Sequence, residues 1–276
     1  MSSETFVHSL AVVEPGAQLG VGARIGPFCF VGAETTIGDR VELISHVSVL
    51  GATTIGAGTR VWPNAVLGGE AQSKHRSRER VTLEIGRDCT IREFVTMHVG
   101  TDNHGGRTVV GDNGFFMANA HIAHDCIVGN NATFANGATL GGHTEIGHNV
   151  GIGGLTATHQ FVKVGDGAFL TGCSAVTGNV IPYGVARGNL ATLRGLNVVG
   201  MRRSGMPKSE IHVVRRAYKT IFDRARPVSE NLETARREFA ASPAAMSVVD
   251  FMLQRGKRHF LVPPLAGGDD DDDAEL

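Results

Sequence analysis

An apolar residue returns at every sixth position of the chain. Val7, Val13, Leu19, Ile25, Val31, Ile37, Leu43, Val49, Ile55, Val61 and Leu67 fall on one lattice without a miss. With apolar residues at 42% of the sequence, eleven hits in phase have a chance probability of roughly 1 in 10,000. The lattice resumes at Ile85, Ile91 and Met97. It runs again through Val110, Phe116, Ile122, Val128, Phe134, Leu140, Ile146, Ile152, Thr158, Val164, Leu170 and Val176, with Thr158 the one polar member. A period of six matches neither the helical 3.6 nor the strand alternation of 2. It is the spacing of a hexapeptide-repeat parallel β-helix, in which each repeat supplies one short strand and a corner, and three strands close a coil. Residues about eighteen apart then stack on one another. Glycine follows the lattice residue at Gly20, Gly26, Gly32, Gly38, Gly56 and Gly68, where a tight corner is expected to need left-handed backbone angles.

The pattern fails at 69–82, a polar, basic segment that cannot fill an apolar interior, and at 100–107, which is rich in turn formers. Both are expected to loop out, and loops on a rigid scaffold are where binding groups usually sit. After Val176 the periodicity turns helical: Pro207 opens a segment with Ile211, Val214, Tyr218, Ile221 and Phe222 at helical spacing. Two more helices are expected over 229–241 and 243–254, punctuated by Pro227 and Pro243. The chain is thus expected to be mainly β: a parallel β-helix over 1–190, a small helical domain over 191–262, and a disordered acidic tail, GGDDDDDAEL, within 263–276.

Composition narrows the function. The charges balance, 26 basic against 27 acidic, so neither nucleic acid nor an anionic membrane surface is expected as a partner. The 37 glycines and 6% aromatics suit a narrow coil with small corners. Cys29, Cys89, Cys126 and Cys173 show no metal-ligand spacing, which favours a reduced cytoplasm. No stretch reads as a leader or a membrane span.

Candidate chemistry gathers between His121 and His143. The eighteen-residue rule sets His124 beside Gly142 and Asp125 beside His143. An imidazole base, a carboxylate to orient it and an unencumbered backbone amide for a developing oxyanion make an acyl-transfer site. His98, His121 and His159 fall within the same few coils. No GxSxG elbow is present and Cys126 has no evident activating partner, so direct attack by an acceptor hydroxyl is favoured over an acyl-enzyme. A competing reading is a zinc site formed by His121, His143 and His148 between subunits, similar to the gamma-class carbonic anhydrases, although the residues after His148 depart from that pattern. A silent scaffold is the other alternative.

Six segments, IGPFCFVG from Ile25, SHVSV from Ser45, IREFVTMHVG from Ile91, HIAHDC from His121, TATHQF from Thr156 and GLNVVGMRRSG from Gly195, resemble the UDP-N-acetylglucosamine acyltransferases that begin lipid A synthesis. The similarity runs from the N-terminus to about Leu261. It implies a homotrimer of left-handed β-helices, against the usual right-handed crossover, with no cofactor beyond the phosphopantetheine of the acyl carrier protein. By resemblance His124 is the general base, Asp125 its orienting partner and the Gly142 amide the oxyanion donor. The same likeness assigns substrate contacts to Gln72, His75, His98, His121, His143, His159, Gln160, Asn197, Arg202 and Arg203, and acyl-chain length to Phe169 and Gly172. A basic patch for the carrier protein is expected from Arg187, Arg194, Arg202, Arg203, Arg215 and Arg216.

The chain departs from the family pattern in places. Gln72 is followed by Ser73, Lys74 and His75 where the family has Asp-Leu-Lys, and Val199 and Ser204 replace a glutamate and an arginine. Losing a charged hydrogen bond costs about 1.5 to 3 kcal/mol, enough to retune the acceptor. N-acylation of a 3-amino nucleotide sugar is therefore the alternative to O-acylation of UDP-N-acetylglucosamine.

Overall fold

The computed structural model describes residues 4–254 and 256–264. Its short strands form three sheets of 11, 9 and 8 strands that take successive lattice repeats in rotation, so each sheet is one face of a triangular prism. Pairing is parallel in perfect phase: Phe6 opposite Arg24, Val12 opposite Phe30, Gln18 opposite Thr36. From Ile25 onward every lattice residue points inward and is buried, Thr158 included at 6% exposure. That one hydroxyl is satisfied, since Thr158 Oγ1 accepts from the Gly141 N–H and lies 3.2 Å from Thr144 Oγ1. Phe116 and Phe134 fill the middle of the stack edge to face, 5.1 Å apart. Val7 stays 43% exposed because no coil lies beneath it.

The corners differ from the sequence expectation. Gly20, Gly26, Gly32, Gly38 and Gly56 do not have left-handed angles; of the six only Gly68 does, at φ 81°. Close approach of the next coil explains most of them. A Cβ on Gly26 would stand 1.8 Å from the Ile44 carbonyl oxygen, and one on Gly20 or Gly56 would be 2.5 Å from backbone atoms above. The left-handed residue sits three positions after the inward one, where sixteen non-glycine residues adopt φ between 53° and 66°. Asp125, His143 and Phe161 occupy three consecutive such corners on one edge of the prism.

Both excursions leave the coil where the lattice broke. The strand pairs that bridge them step from Arg60 to Thr90 and from Thr90 to Phe115 rather than by eighteen. Past Val176, Gly184–Arg187 still extends the first face, and Thr192–Leu196 folds back on it antiparallel, so the sheet continues beyond residue 190. Four helices follow among the described residues: α1 (Val198–Arg203), α2 (Lys208–Ile221), α3 (Val228–Glu238) and α4 (Pro243–Leu253). The first, six residues long, escaped the sequence reading because it carries too few residues for a period. The chain then returns to the coil, where the Leu261 N–H donates to the Asn179 carbonyl and the Asn179 N–H to the His259 carbonyl. Residues 265–276, most of the expected tail, lie outside the described residues.

Candidate active site

Asp125 is the centre of the site and is 8% exposed. Its corner backbone aims the carboxylate outward, and the neighbouring 100–107 segment covers it. Thr101 donates twice, N–H to Oδ1 at 2.8 Å and Oγ1–H to Oδ2 at 2.7 Å. The Asp125 N–H donates to Thr108 Oγ1 at 2.9 Å. On Oδ2 the carboxylate also meets His124 Nδ1 at 2.8 Å. A carboxylate can only accept here, so Nδ1 carries a proton, and in the neutral ring Nε2 is the nitrogen with the lone pair.

Gly142 lies against that ring one coil on. A Cβ there would fall 2.8 Å from His124 Nε2 and 2.7 Å from Cε1, so any side chain at 142 displaces the imidazole. While the amides of Gly141 and His143 donate to the carbonyls of Thr158 and His124, that of Gly142 donates to no backbone carbonyl among the described residues. The His124 ring therefore packs directly on Gly142, whose N–H has no backbone carbonyl partner among the described residues.

His143 Nδ1 lies 3.6 Å from Asp125 Oδ2, and its ring is stacked on Phe161 at 4.4 Å and 1° and meets His104 edge to face at 4.5 Å. Burial, ahead of the opposing pull of Asp125, holds its pKa below the usual imidazole value. His121 is pushed down to about 4, first by burial and then by the nearby His98 and His124. It meets Thr96 Oγ1 at 2.7 Å and its ring is 5.2 Å from that of His98. His98 Nδ1 is 2.7 Å from the Glu70 carbonyl and must donate to it. That leaves Nε2 an acceptor, buried and without a partner among the described residues.

Other expected contacts stand apart. Gln72 is exposed on its loop, and His75 Nε2 is taken by Asp102 Oδ1 at 2.5 Å. His159 and the Gln160 carbonyl both bond the Arg258 guanidinium at the margin of the site. Asn197 caps α1, its Oδ1 accepting from Gly200 N–H while Nδ2 donates to the Gly167 carbonyl, and Arg202 and Arg203 are exposed in the last turn. Gly167 and Tyr183, which Asn197 touches, belong to a different edge of the prism from Asp125 and His143. Phe169 lies over Gly151 on the first face, and Gly172 faces the Gly154 carbonyl at the edge between the first two faces. Thr101, Thr108, Phe161 and His104 were missed by the sequence reading. The two threonines bracket an excursion, so the eighteen-residue rule reaches them only after the loop length is known.

Cys126, beside the pair, is fully buried and its thiol is pushed up to about 12 by burial, which disables it as a nucleophile. The ligand atoms of His124, Asp125 and His143 lie within 4.8 Å of one another and form a group able to hold a metal. Of the zinc trio considered from sequence, His148 has Nδ1 engaged by the Asn130 N–H, on another edge from His143.

Comparison with known proteins gives a consistent result. A family model described as Udp N-acetylglucosamine O-acyltransferase, domain 2, matches 179–260, and one for the bacterial transferase hexapeptide repeat matches 107–142. Proteins named acyl-(acyl-carrier-protein)–UDP-N-acetylglucosamine O-acyltransferase are similar in sequence. One from Mesorhizobium japonicum is 64% identical, covering 99% of this chain and 98% of its own. Another from Rhizobium johnstonii is 49% identical over 93% and 94%. Among solved structures, a UDP-N-acetylglucosamine acyltransferase from Campylobacter jejuni superposes with TM-score 0.88 at 39% identity, over 95% of this chain and 100% of that one. One from Francisella novicida gives 0.90 at 31%, over 93% and 94%.

Proposed function

The chain belongs to the UDP-N-acetylglucosamine O-acyltransferase family, and from that membership and the site geometry we propose that it moves a 3-hydroxyacyl group from acyl carrier protein to the 3-hydroxyl of UDP-N-acetylglucosamine, the first step of lipid A synthesis. The observation that supports the mechanism is the His124 ring, oriented by Asp125 through Nδ1 and packed directly on Gly142. Nε2 takes the proton of the acceptor hydroxyl as its oxygen attacks the thioester carbonyl. The tetrahedral oxyanion accepts the Gly142 N–H. Its collapse breaks the C–S bond, and the imidazolium returns the proton to the departing thiolate. Asp125, held by Thr101, fixes the tautomer and offsets the transient positive charge. The acyl group arrives already activated, so the reaction needs no resident cofactor.

His98 Nε2, an unsatisfied acceptor, suits a hydroxyl or amide N–H of the sugar, with His121 and the loop bearing Gln72 completing that side. His143, His159 and Gln160 border the pantetheine arm, and Phe169 and Gly172 bound the acyl chain. Asn197, Arg202 and Arg203 serve the nucleotide from a neighbouring subunit, because their edge of the prism is not that of the base. A homotrimer supplies that neighbour. Four free thiols fit a reducing cytoplasm, and no helix among the described residues is long and apolar enough to cross a membrane.

The test is acyl transfer from a panel of 3-hydroxyacyl carrier proteins to UDP-N-acetylglucosamine and its 3-amino analogue, read by mass, with wild type beside His124→Ala. Transfer to the hydroxyl sugar, lost by about 10² to 10⁴ in the variant, is the expected result. Product from the amino sugar alone would reassign the acceptor, and an undiminished variant would remove the base.

A further inference from the structure

The two excursions that flank the site are joined through one side chain. Asp102 Oδ1 meets His75 Nε2 at 2.5 Å, its Oδ2 accepts the Arg78 N–H at 2.7 Å and the Glu79 N–H at 3.3 Å, and its own N–H donates to Ser77 Oγ at 3.2 Å. All four partners belong to the 69–82 segment. The bond from His75, followed by those from the two amides, draws the carboxyl down to about 2, so it is ionised wherever the enzyme works. One residue earlier, Thr101 donates twice to Asp125. Adjacent residues of a single turn therefore grip the catalytic carboxylate with one side chain and the other loop with the next.

The 69–82 loop has no comparable internal support. Its start is fixed by the Glu70 carbonyl on His98, and between it and the coil lies a cavity of about 410 Å³ lined by Glu70, Ser73, His75, Val99 and Gly100. A carboxylate gathering a side chain and two backbone amides is a charge-assisted anchor of the stronger kind.

We propose that Asp102, through His75, is a positioning residue that latches the acceptor-side loop to the segment orienting Asp125, so that sugar contact and base alignment are set together. The proposal rests on the reading of His124 as base and of the 69–82 loop as an acceptor contact. It replaces the direct substrate contact expected of His75 with an indirect one.

The experiment uses the full chain as wild type, Asp102→Ala, His75→Leu, the double variant, and His75→Gln, which retains a donor. Each single loss is expected to raise the acceptor KM about tenfold or more, with the donor KM and Tm unmoved. The double variant is expected to be no worse than the weaker single, and His75→Gln to recover most of the loss. Additive losses, or a donor KM rising with that of the acceptor, would overturn the latch. Limited trypsin digestion supplies a readout independent of turnover: cleavage after Lys74, Arg76, Arg78 or Arg80 should be faster in Asp102→Ala, and equal rates would refute the proposal. If wild type transfers acyl groups to no acceptor, the functional reading fails while the digestion still decides the latch.

Discussion

Thr101 is the residue that holds the carboxylate of the proposed His124–Asp125 pair. It is 2% exposed, and both hydrogen bonds that it donates end on Asp125. Thr101→Val removes the hydroxyl and leaves the amide, so kcat should fall about tenfold or more, in keeping with the loss of a bond to a charged group, while both KM values hold. Rapid quench under saturating substrates checks this. His121 gives a stability prediction whose sign follows from its depressed pKa of about 4. The unfolded chain binds a proton near pH 6.5 that the folded one refuses until about 4, so stability is complete above about 6.5 and is lost as pH falls through that window. Melting followed from pH 7 to pH 4 should show a smaller decline in His121→Asn than in wild type; parallel curves would mean that this imidazole is not the cause. His124 and Asp125 were legible in the sequence because a fixed repeat converts spacing into contact. Thr101 and Asp102 were not, since they lie within an irregular loop whose path no period describes; Phe161, eighteen residues after His143 and stacked on it at 4.4 Å, obeys the same spacing but carries no polar group to mark it as a candidate.

At the scale of the element, the hexapeptide turn explains both the regularity and the placement of chemistry. Each corner needs one left-handed residue, and a non-glycine there costs about 1 to 2 kcal/mol, which the ladder hydrogen bonds of the adjoining strands offset. Asp125 and His143 thereby project from the scaffold at a fixed stagger, with Asp125 bonded to the coil on either side. The glycines after the lattice residue answer a different need. Gly26→Ala would drive a methyl into the Ile44 carbonyl at 1.8 Å, whereas at Gly32 the nearest atom is 3.4 Å away. Overpacking against backbone costs typically 1 to 3 kcal/mol or more, and each kcal/mol lowers Tm by about 2 to 4 °C in a chain of this size. Gly26→Ala should therefore lose several degrees by calorimetry and Gly32→Ala almost none. Equal losses would show that backbone freedom, and not the neighbouring coil, selects these glycines. The helical end was legible in part: Pro207, Pro227 and Pro243 mark the residues just before or at the starts of α2, α3 and α4, but α1 and the antiparallel return at Thr192–Leu196 have no periodic signature.

In the whole molecule the prism separates what the reaction must combine. His124, the proposed base, lies at the edge of Asp125, His143 and Phe161, while Asn197 reaches the edge of Gly167 and Tyr183. If a neighbouring subunit joins them, two inactive variants will complement each other. Mixing His124→Ala with Arg203→Ala after unfolding and refolding together should restore activity at about a quarter of the sites, the random yield for a site shared by two subunits of a closed ring. Activity no greater than that of the separate variants would place every contact in one chain. The sequence by itself determined the repeat, the inward residues, the two excursions and the pairing of His124 with Gly142, because a period of six leaves a solenoid little freedom beyond its hand. It also carried the family likeness. Tertiary structure alone decided which donors hold Asp125, that Asp102 ties one loop to the other, that Asn197 also caps α1, and that most of the expected corner glycines serve clearance between coils. Those features depend on the paths of irregular segments and on distances between successive coils, which are fixed by packing and hydrogen bonding in three dimensions and leave no period in the chain.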